Sequence, residues 1–181
     1  MNESAGSSTL VRPRSLVLTG FMATGKSTLG RLVASRLRYG FVDTDRLIEE
    51  RHGSVAAIFQ REGEAAFRQL ERDLARELAA LPALVIATGG GMLVDASVAD
   101  IFEDAGALIV CLTADVETIY RRVGGENAGA RRPLLNVANP KQRIEELMEE
   151  RANAYARFTQ VTTAGRRTSA VVDEISALIA G

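Results

Sequence analysis

Residues 20–28, GFMATGKST, follow directly on the apolar run SLVLT at residues 15–19. They match the pattern G-x-x-x-x-G-K-[ST] in full. A loop of this kind wraps phosphate oxygens with backbone N–H groups, and its glycines let the backbone come close or adopt positive φ. The match is specific when a strand precedes the loop and an amphipathic helix follows it, as the flanking apolar residues predict here. We therefore expect a strand, a phosphate-binding loop and a helix at this point.

The loop also predicts part of the chemistry of its ligand. We expect Lys26 to reach the β- and γ-phosphates, and the Ser27 hydroxyl to ligate Mg²⁺. The sequence lacks the guanine-recognising motif NKxD of GTPases, and 181 residues are few for a motor or transporter ATPase. These observations point to a small-molecule kinase that uses ATP and Mg²⁺. The loop residues predicted to bind the nucleotide are Gly20, Ala23, Thr24, Gly25, Lys26, Ser27 and Thr28.

Short apolar runs rich in β-branched residues recur along the chain and alternate with helical patterns. The runs lie at residues 15–19, 40–43, 83–88, 107–113 and 159–163. Consecutive apolar residues indicate strands that are buried on both faces, and strand–helix alternation implies right-handed βαβ crossovers. We predict an α/β fold of three α/β/α layers around a five-stranded parallel sheet, which is a P-loop NTPase architecture. The apolar stripes of the helices are Leu29, Leu32, Val33 and Leu37; Phe67, Leu70, Leu74 and Leu78; Ile144, Leu147, Met148 and Tyr155; and Val171, Val172, Ile175, Leu178 and Ile179.

Length and charge limit the other possibilities. A chain of 181 residues suits one domain, which we place at residues 15–181 after a disordered tail at residues 1–14. The net charge of -1 argues against a general nucleic-acid or membrane-surface partner. No apolar segment approaches the roughly 18 residues that span a bilayer, so we expect a soluble cytoplasmic protein. The single cysteine, Cys111, lies in an apolar run and is expected to be a buried strand residue.

The second predicted strand ends in FVDTD, which places Asp43 and Asp45 where ligands bind in open α/β sheets. One carboxylate could hold a metal-bound water, and the other could accept a hydrogen bond from an acceptor hydroxyl. The sequence supports equally well a pair of solvated turn aspartates or a helix N-cap. Three glycines at residues 89–91 end the third strand and favour a ligand site, because they remove side chains where a ligand can approach the backbone.

Arg68 lies three residues before Glu71 in the segment FRQLE, so the two side chains are neighbours on one helix surface. An arginine held by a glutamate is oriented for bidentate contact with a ligand carboxylate. The alternative is a surface ion pair worth only a few tenths of a kcal/mol. Two further segments depart from the strand–helix pattern: residues 44–62 resemble inserted short helices, and residues 124–139 resemble a long loop rich in glycine and arginine.

Taken in order, these motifs resemble those of the shikimate kinase family from about Ser15 to the C-terminus. The resemblance implies the nucleoside monophosphate kinase-like form of the fold, with an acceptor-binding insertion at about 44–80 and a lid at about 122–138. The matching motifs are GFMATGKST, DTD at 43–45, FRQLE at 67–71, GGG at 89–91, RPLL at 132–135 and RANAY at 151–155.

The resemblance also implies roles for individual residues. Asp43 would assist Mg²⁺ through water, and Asp45 would bind the acceptor hydroxyls and serve catalysis. Carboxylate ligands would be Arg68 and Arg151, while the ring would lie against Gly90 and Gly91. Arg122 would stack on the adenine of the nucleotide. The lid residue Arg132 would contact the transferring phosphoryl group; the motif assigns this role to Arg132 instead of Arg131, because Pro133 follows it directly.

The implied activity is ATP-dependent phosphorylation of the 3-hydroxyl of shikimate in aromatic amino-acid biosynthesis, by a cytoplasmic monomer. The alternatives are a related kinase for gluconate or another sugar acid, a kinase for an aminated shikimate analogue, and a regulator that binds nucleotide without transferring phosphate. The family usually has a glycine where Ala23 stands. Alanine would fit the loop only with a negative φ at this position, and the lid segment is a few residues longer than usual.

Overall fold

The computed structural model describes residues 14–130 and 133–180. Within them, five parallel strands form one sheet in the order β2-β3-β1-β4-β5. The strands are β1 (Leu16–Thr19), β2 (Gly40–Asp43), β3 (Leu84–Ala87), β4 (Leu108–Thr113) and β5 (Thr159–Thr162). The helices are α1 (Lys26–Leu37), α2 (Thr44–His52), α3 (Val55–Ala79), α4 (Ala96–Asp104), α5 (Val116–Val123), α6 (Pro140–Ala156) and α7 (Thr168–Ala180). The prediction of a parallel α/β sheet is confirmed.

The sheet separates two apolar layers because successive residues of β1 face opposite sides. Leu16 and Leu18 pack with α1 and α7, whereas Val17 packs with residues of α3, α4 and α6. These three β1 side chains are fully buried, so the central strand holds the next residues, the phosphate-binding loop, on a rigid base. Cys111 of β4 is also fully buried, as predicted, and burial raises the pKa of its thiol to about 11.

The predicted strands agree with the observed ones to within one residue at each end, but two predicted helix positions are wrong. Leu32 and Leu178 are 45% and 37% exposed instead of buried. In α1, the buried face contains Gly30 and Ala34, which turns it away from Leu32. A Cβ on Gly30 would lie 2.6 Å from the ring of Phe41, so the small residue brings the helix against the sheet.

The segment that interrupts the strand–helix pattern after β2 consists of α2 and α3. Gly63 breaks the regular geometry of α3, with φ 82° and ψ 174°. Residues 124–139, predicted as a loop, contain short 3₁₀ turns at Gly125–Ala130 and Pro133–Leu135. Of the predicted tail, residues 1–13 lie outside the described residues, and the Arg14 guanidinium donates to the Gly106 carbonyl at 3.0 Å. None of the helices described has both the length and the apolar character that crossing a membrane requires.

Candidate active site

The phosphate-binding loop leaves β1 through a glycine that no other residue can replace without a clash. Gly20 has φ 124°, and a Cβ there would lie 2.2 Å from the Leu112 carbonyl oxygen. Gly25, with φ 103°, precedes the first turn of α1. Between them, the buried Thr24 hydroxyl donates to the Phe21 carbonyl at 2.8 Å and closes the loop on itself. The loop therefore directs the N-terminus of α1, with its backbone N–H groups, toward the site where phosphates bind.

Lys26 lies across this loop. Its Nζ donates to the carbonyls of Gly20 at 2.8 Å and Phe21 at 2.9 Å. The ammonium group is thus held beside the loop backbone at the position from which a P-loop lysine contacts phosphate oxygens.

The expectation of a negative φ at Ala23 is wrong. Ala23 has φ 57°, in the left-handed region, where its Cβ crowds the following carbonyl at a cost of about 1–2 kcal/mol. The neighbouring structure holds this conformation: Arg122 Nη1 donates to the Ala23 carbonyl at 3.1 Å and to Thr163 Oγ1 at 2.9 Å. Arg122 Nη2 also donates to the Thr163 carbonyl at 3.0 Å. The loop and the end of β5 are thereby fastened to one arginine.

A cavity of about 390 Å³ adjoins this arginine, beside the phosphate-binding loop. Its lining includes Gly25 and Thr28 from the loop region, Arg122 from α5, and Arg166 from the segment before α7. Sequence reasoning missed Arg166, because its neighbours in the chain form no motif that distinguishes it from other surface arginines. We call the loop at residues 20–28 together with Arg122 and Arg166 the donor end.

Ser27 and Asp43 meet where α1 and β2 approach each other. Ser27 Oγ donates to Asp43 Oδ2 at 2.5 Å, while Asp43 Oδ1 accepts from the Arg46 N–H at 3.3 Å. Asp43 is therefore both the N-cap of α2 and a partner of the loop serine, so the two sequence hypotheses for it are compatible. A hydroxyl and a carboxylate are the hard oxygen donors that Mg²⁺ prefers, and both groups are only half-buried. The residues present fit the ion.

Asp45 follows in the first turn of α2, and the glycine turn after β3 is built around it. A Cβ on Gly89 would lie 2.3 Å from Asp45 Oδ1, so only glycine fits there while Asp45 keeps its position. The buried Thr44 hydroxyl accepts the Gly89 N–H at 3.0 Å and locks the two segments together. Although Asp45 has a solvent-exposed side, burial and then the neighbouring charge of Asp43 raise the pKa of its carboxyl. Lys26 and Arg68 oppose this shift.

Arg68 is anchored by a buried carboxylate, so the alternative of a surface ion pair is wrong. Its Nη1 lies 2.6 Å from Glu71 Oε2, and the Glu71 side chain is only 3% exposed. Burial raises the pKa of Glu71, and Arg68 opposes that shift. A Cβ on Gly91 would meet Arg68 Nη1 at 3.2 Å, which places the guanidinium against the glycine turn.

Arg151 of α6 reaches the same turn at Gly90. Its Nη1 donates to the Gly90 carbonyl at 2.9 Å, and its guanidinium lies 5.5 Å from the centre of the Phe21 ring. The Tyr155 hydroxyl donates to the same Gly90 carbonyl, and burial raises the pKa of Tyr155 to about 12. Sequence reasoning gave Tyr155 no role, although its position four residues after Arg151 on one helix face could have indicated a shared target.

Asp45, Arg68, Arg151 and the turn at residues 89–91 thus surround one space, which we call the acceptor cleft. The structure brings together the described residues predicted to bind the acceptor. It adds Thr44 and Tyr155, to which sequence reasoning gave no role in the site, and it shows that Gly89, predicted only as part of the glycine turn, makes room for Asp45. The predicted lid residues Arg131 and Arg132 lie outside the described residues.

A phosphate-binding loop at the end of β1 and a cleft with two arginines beside it define a P-loop kinase for a small acidic acceptor. The chain belongs to the shikimate kinase family. The family model for shikimate kinase matches residues 22–180. The shikimate kinase of Geobacter sulfurreducens is 44% identical over 168 residues, covering 92% of this chain and 91% of the relative. Family membership makes the chain an ATP-dependent, Mg²⁺-requiring kinase.

Solved structures agree with this assignment. The shikimate kinase of Acinetobacter baumannii, solved in complex with shikimate, superposes with a TM-score of 0.82 at 32% identity, covering 92% of this chain and 93% of that chain. A gluconokinase of Sinorhizobium meliloti superposes with a TM-score of 0.63 at 20% identity, covering 93% of this chain and 92% of that chain. At that identity the second likeness shows a common fold alone.

Proposed function

We propose that the protein transfers the γ-phosphoryl group of ATP to the 3-hydroxyl of shikimate, giving 3-phosphoshikimate and ADP in aromatic amino-acid biosynthesis. The observation that carries this proposal is the convergence of Arg68 and Arg151 on Gly90 and Gly91, beside Asp45. An acceptor with one carboxylate and a hydroxylated ring matches two cations, a flat backbone surface and a hydrogen-bond acceptor. A regulator that only binds nucleotide has no use for these groups.

At the acceptor cleft, Arg68 and Arg151 bind the carboxylate and so fix the orientation of the ring. The ring rests on the backbone of Gly90 and Gly91, where no side chain intervenes. Asp45 accepts a hydrogen bond from the 3-hydroxyl and takes up its proton as the new O–P bond forms. Such positioning supplies much of the rate in phosphoryl transfer, where little covalent chemistry is left to the protein.

At the donor end, the backbone N–H groups of the loop and the ammonium of Lys26 hold the phosphates. Ser27 would ligate Mg²⁺, and Asp43, bound to the Ser27 hydroxyl, would help to hold the ion. The ion, when bound, neutralises charge on the β- and γ-phosphates. Arg122 and Arg166 bind the adenosine part in the cavity that they line. For Arg132, outside the described residues, the proposal is that it contacts the transferring phosphoryl group.

The domain organisation, the oligomeric state and the cellular location are also proposals. Residues 15–181 would form one kinase domain, with the acceptor-binding insertion at 44–80 and the lid at 122–138. Donor end and acceptor cleft are both assembled from one chain, which supports a monomer as the active unit. Dependence on ATP supports a cytoplasmic location.

A coupled assay of ADP release with shikimate, gluconate, quinate and an aminated shikimate analogue tests the proposal. We expect stimulation by shikimate well above that by the other acids. A Lys26→Met variant purified in parallel controls for contaminating kinases and is expected to lose activity about 10²–10³-fold, as removal of a charge-stabilising group does. Absence of stimulation by shikimate at millimolar concentration would rule the proposal out, and stronger turnover of gluconate would favour the sugar-acid alternative.

A further inference from the structure

Arg68 contacts two carboxylates of very different exposure. Glu71 holds Nη1 from the protein interior, with a side chain only 3% exposed. Glu64 lies on the solvent side, with its side chain 65% exposed. The buried contact anchors the arginine, because breaking a buried ion pair leaves an uncompensated charge. The exposed contact is cheap to break, because water replaces it readily.

Glu64 also covers a defined edge of the guanidinium. Its Oε1 accepts from Arg68 Nε at 3.3 Å and from Nη2 at 3.0 Å. Nε and Nη2 form one of the two forks with which an arginine binds a ligand carboxylate. Nη1 is bound to Glu71, and a Cβ on Gly91 would lie 3.2 Å from Nη1 and 3.4 Å from Nη2, so Nη2 contacts Glu64 and also faces the glycine turn. A carboxylate that approaches Arg68 from solvent therefore meets the negative charge of Glu64.

The backbone explains why Glu64 stands where it does. Gly63, with φ 82° and ψ 174°, interrupts α3, and Glu64 is the first residue after the break. A Cβ on Gly63 would meet nothing within 4 Å, so no packing contact requires a glycine there. Glu64 is four residues before Arg68, a spacing that brings the two side chains together on one helix face.

We propose that Glu64 competes with the carboxylate of the acceptor for Arg68 and thereby lowers the affinity of the acceptor cleft for acids. Arg68 carries one positive charge, and Glu64 and Glu71 carry two negative charges beside it. Removing the charge of Glu64 leaves a neutral arginine–glutamate pair, whose fork faces only the weaker acceptor of a neutral side chain. This inference rests on the proposed function, because it assumes that Arg68 binds the carboxylate of shikimate.

The Glu64→Gln variant tests the inference, because it removes the charge and keeps the size of the side chain. Exposed ion pairs are worth about 0.2–1 kcal/mol, so we expect shikimate to bind about 1.4- to fivefold more tightly. The readouts are the dissociation constant of shikimate by calorimetry and the KM for shikimate, with kcat unchanged. Glu62→Gln is the matched control, because it removes the same charge two residues away. Glu62 is also exposed, and it pairs with Arg61 instead of Arg68.

The methyl ester of shikimate separates competition for a carboxylate from a general change in the cleft. Its binding is expected to be equal in the wild-type protein and in Glu64→Gln. A higher KM in Glu64→Gln would show that Glu64 positions Arg68 and would overturn the inference, as would an equal gain in Glu62→Gln or a gain with the ester. If the wild-type protein binds shikimate and Glu64→Gln binds it no better, the inference alone fails. If the wild-type protein does not bind shikimate, the proposed function fails as well.

Discussion

The donor end and the acceptor cleft are neighbours, yet different parts of the chain form them: mainly backbone at the donor end and mainly side chains at the acceptor cleft. The donor end is mainly backbone: Gly20, Ala23 and Gly25 adopt positive φ within six residues and shape a loop of N–H groups. The acceptor cleft is mainly side chains that come from α2, α3 and α6, with only the glycine turn contributing backbone. We therefore expect changes in backbone conformation to act mainly on the donor end, where Lys26 is the principal catalytic charge, and the loss of single charges to dominate the effects at the acceptor cleft.

The largest effect is expected at the acceptor cleft, from Asp45→Asn. Loss of the carboxylate removes the group proposed to accept the hydroxyl proton, so kcat should fall about 10²–10⁴-fold. The dissociation constant for ATP should be nearly unchanged. Steady-state kinetics with both substrates varied check this. A variant that retains kcat would show that Asp45 only helps to bind the acceptor, and the contrast between the two ends would be weaker.

The same substitution should affect stability in a pH-dependent way. Burial raises the pKa of Asp45, so the folded state favours the protonated form more than the unfolded state does. The protonated carboxyl of Asp45 therefore contributes to the free energy of unfolding below the pKa that Asp45 has in the unfolded chain. This contribution is lost as the pH rises through the pKa of Asp45 in the folded protein. Asp45→Asn should therefore unfold at a slightly higher temperature than wild type at pH 7, and the gain should vanish near pH 3. Thermal unfolding of both proteins at pH 7 and pH 3 checks the sign of this difference in Tm. We expect the difference to be small, because one side of Asp45 is exposed to solvent.

A smaller but more selective effect is expected from Arg68→Ala. Hydrogen bonds to charged groups contribute about 1.5–3 kcal/mol, so the acceptor KM should rise about tenfold to a hundredfold, with little change in the KM for ATP. The substitution also leaves Glu71 buried without its cation, which lowers the free energy of unfolding.

The double variant Arg68→Ala/Glu71→Gln is the control for that loss. It should recover stability in thermal unfolding but not the affinity for shikimate. An Arg68→Ala variant whose ATP affinity falls while its acceptor KM is unchanged would assign Arg68 to the donor end instead.

Gly89→Ala tests the one part of the acceptor cleft where backbone and side chain depend on each other. The added Cβ would lie 2.3 Å from Asp45 Oδ1 and must displace the carboxylate, so we expect kcat to fall roughly tenfold, short of the full loss from removing the carboxylate. In Gly90→Ala, the matched substitution, the nearest atom to the new Cβ is 3.6 Å away. That variant should keep kcat and alter only the acceptor KM. Equal losses of kcat in both variants would mean that Asp45 does not require Gly89.

The difference between the two ends also explains how far the sequence predicted the structure. The donor loop depends on residues adjacent in the chain, so a local pattern was sufficient to place Gly20, Lys26 and Ser27. The strands were predictable for the same reason. The contacts of Thr44 and Tyr155 with the glycine turn join residues 45 and 65 positions apart, and no local pattern specifies them. The resemblance to a family supplied the residues of the acceptor cleft, but not the contacts that hold them.

Gly30 and Ala34 illustrate a second limit. Hydrophobic periodicity gives weight to large side chains, so it assigned Leu32 to the buried face of α1 and overlooked the small residues that pack there. Ala23 illustrates a third limit, because the φ of one residue depends on the closure of the whole loop and on Arg122.

The smallest effect is expected at the donor end, from Ala23→Gly. Glycine relieves about 1–2 kcal/mol of left-handed strain but adds about 0.4–1 kcal/mol of conformational entropy to the unfolded chain, so a net gain between about 0 and 1.6 kcal/mol is expected. For a chain of this size each 1 kcal/mol raises Tm by about 2–4 °C, so the rise in Tm should not exceed about 6 °C. Ala83→Gly is the matched control, because Ala83 also has φ 57° and lies before β3, at the opposite end of the sheet from the loop. Both variants should gain similar stability, and only Ala23→Gly should change the KM for ATP, by less than about threefold. A loss of stability in Ala23→Gly with a gain in Ala83→Gly would mean that the loop depends on the alanine itself, and the donor end would then be less purely a backbone site than we infer.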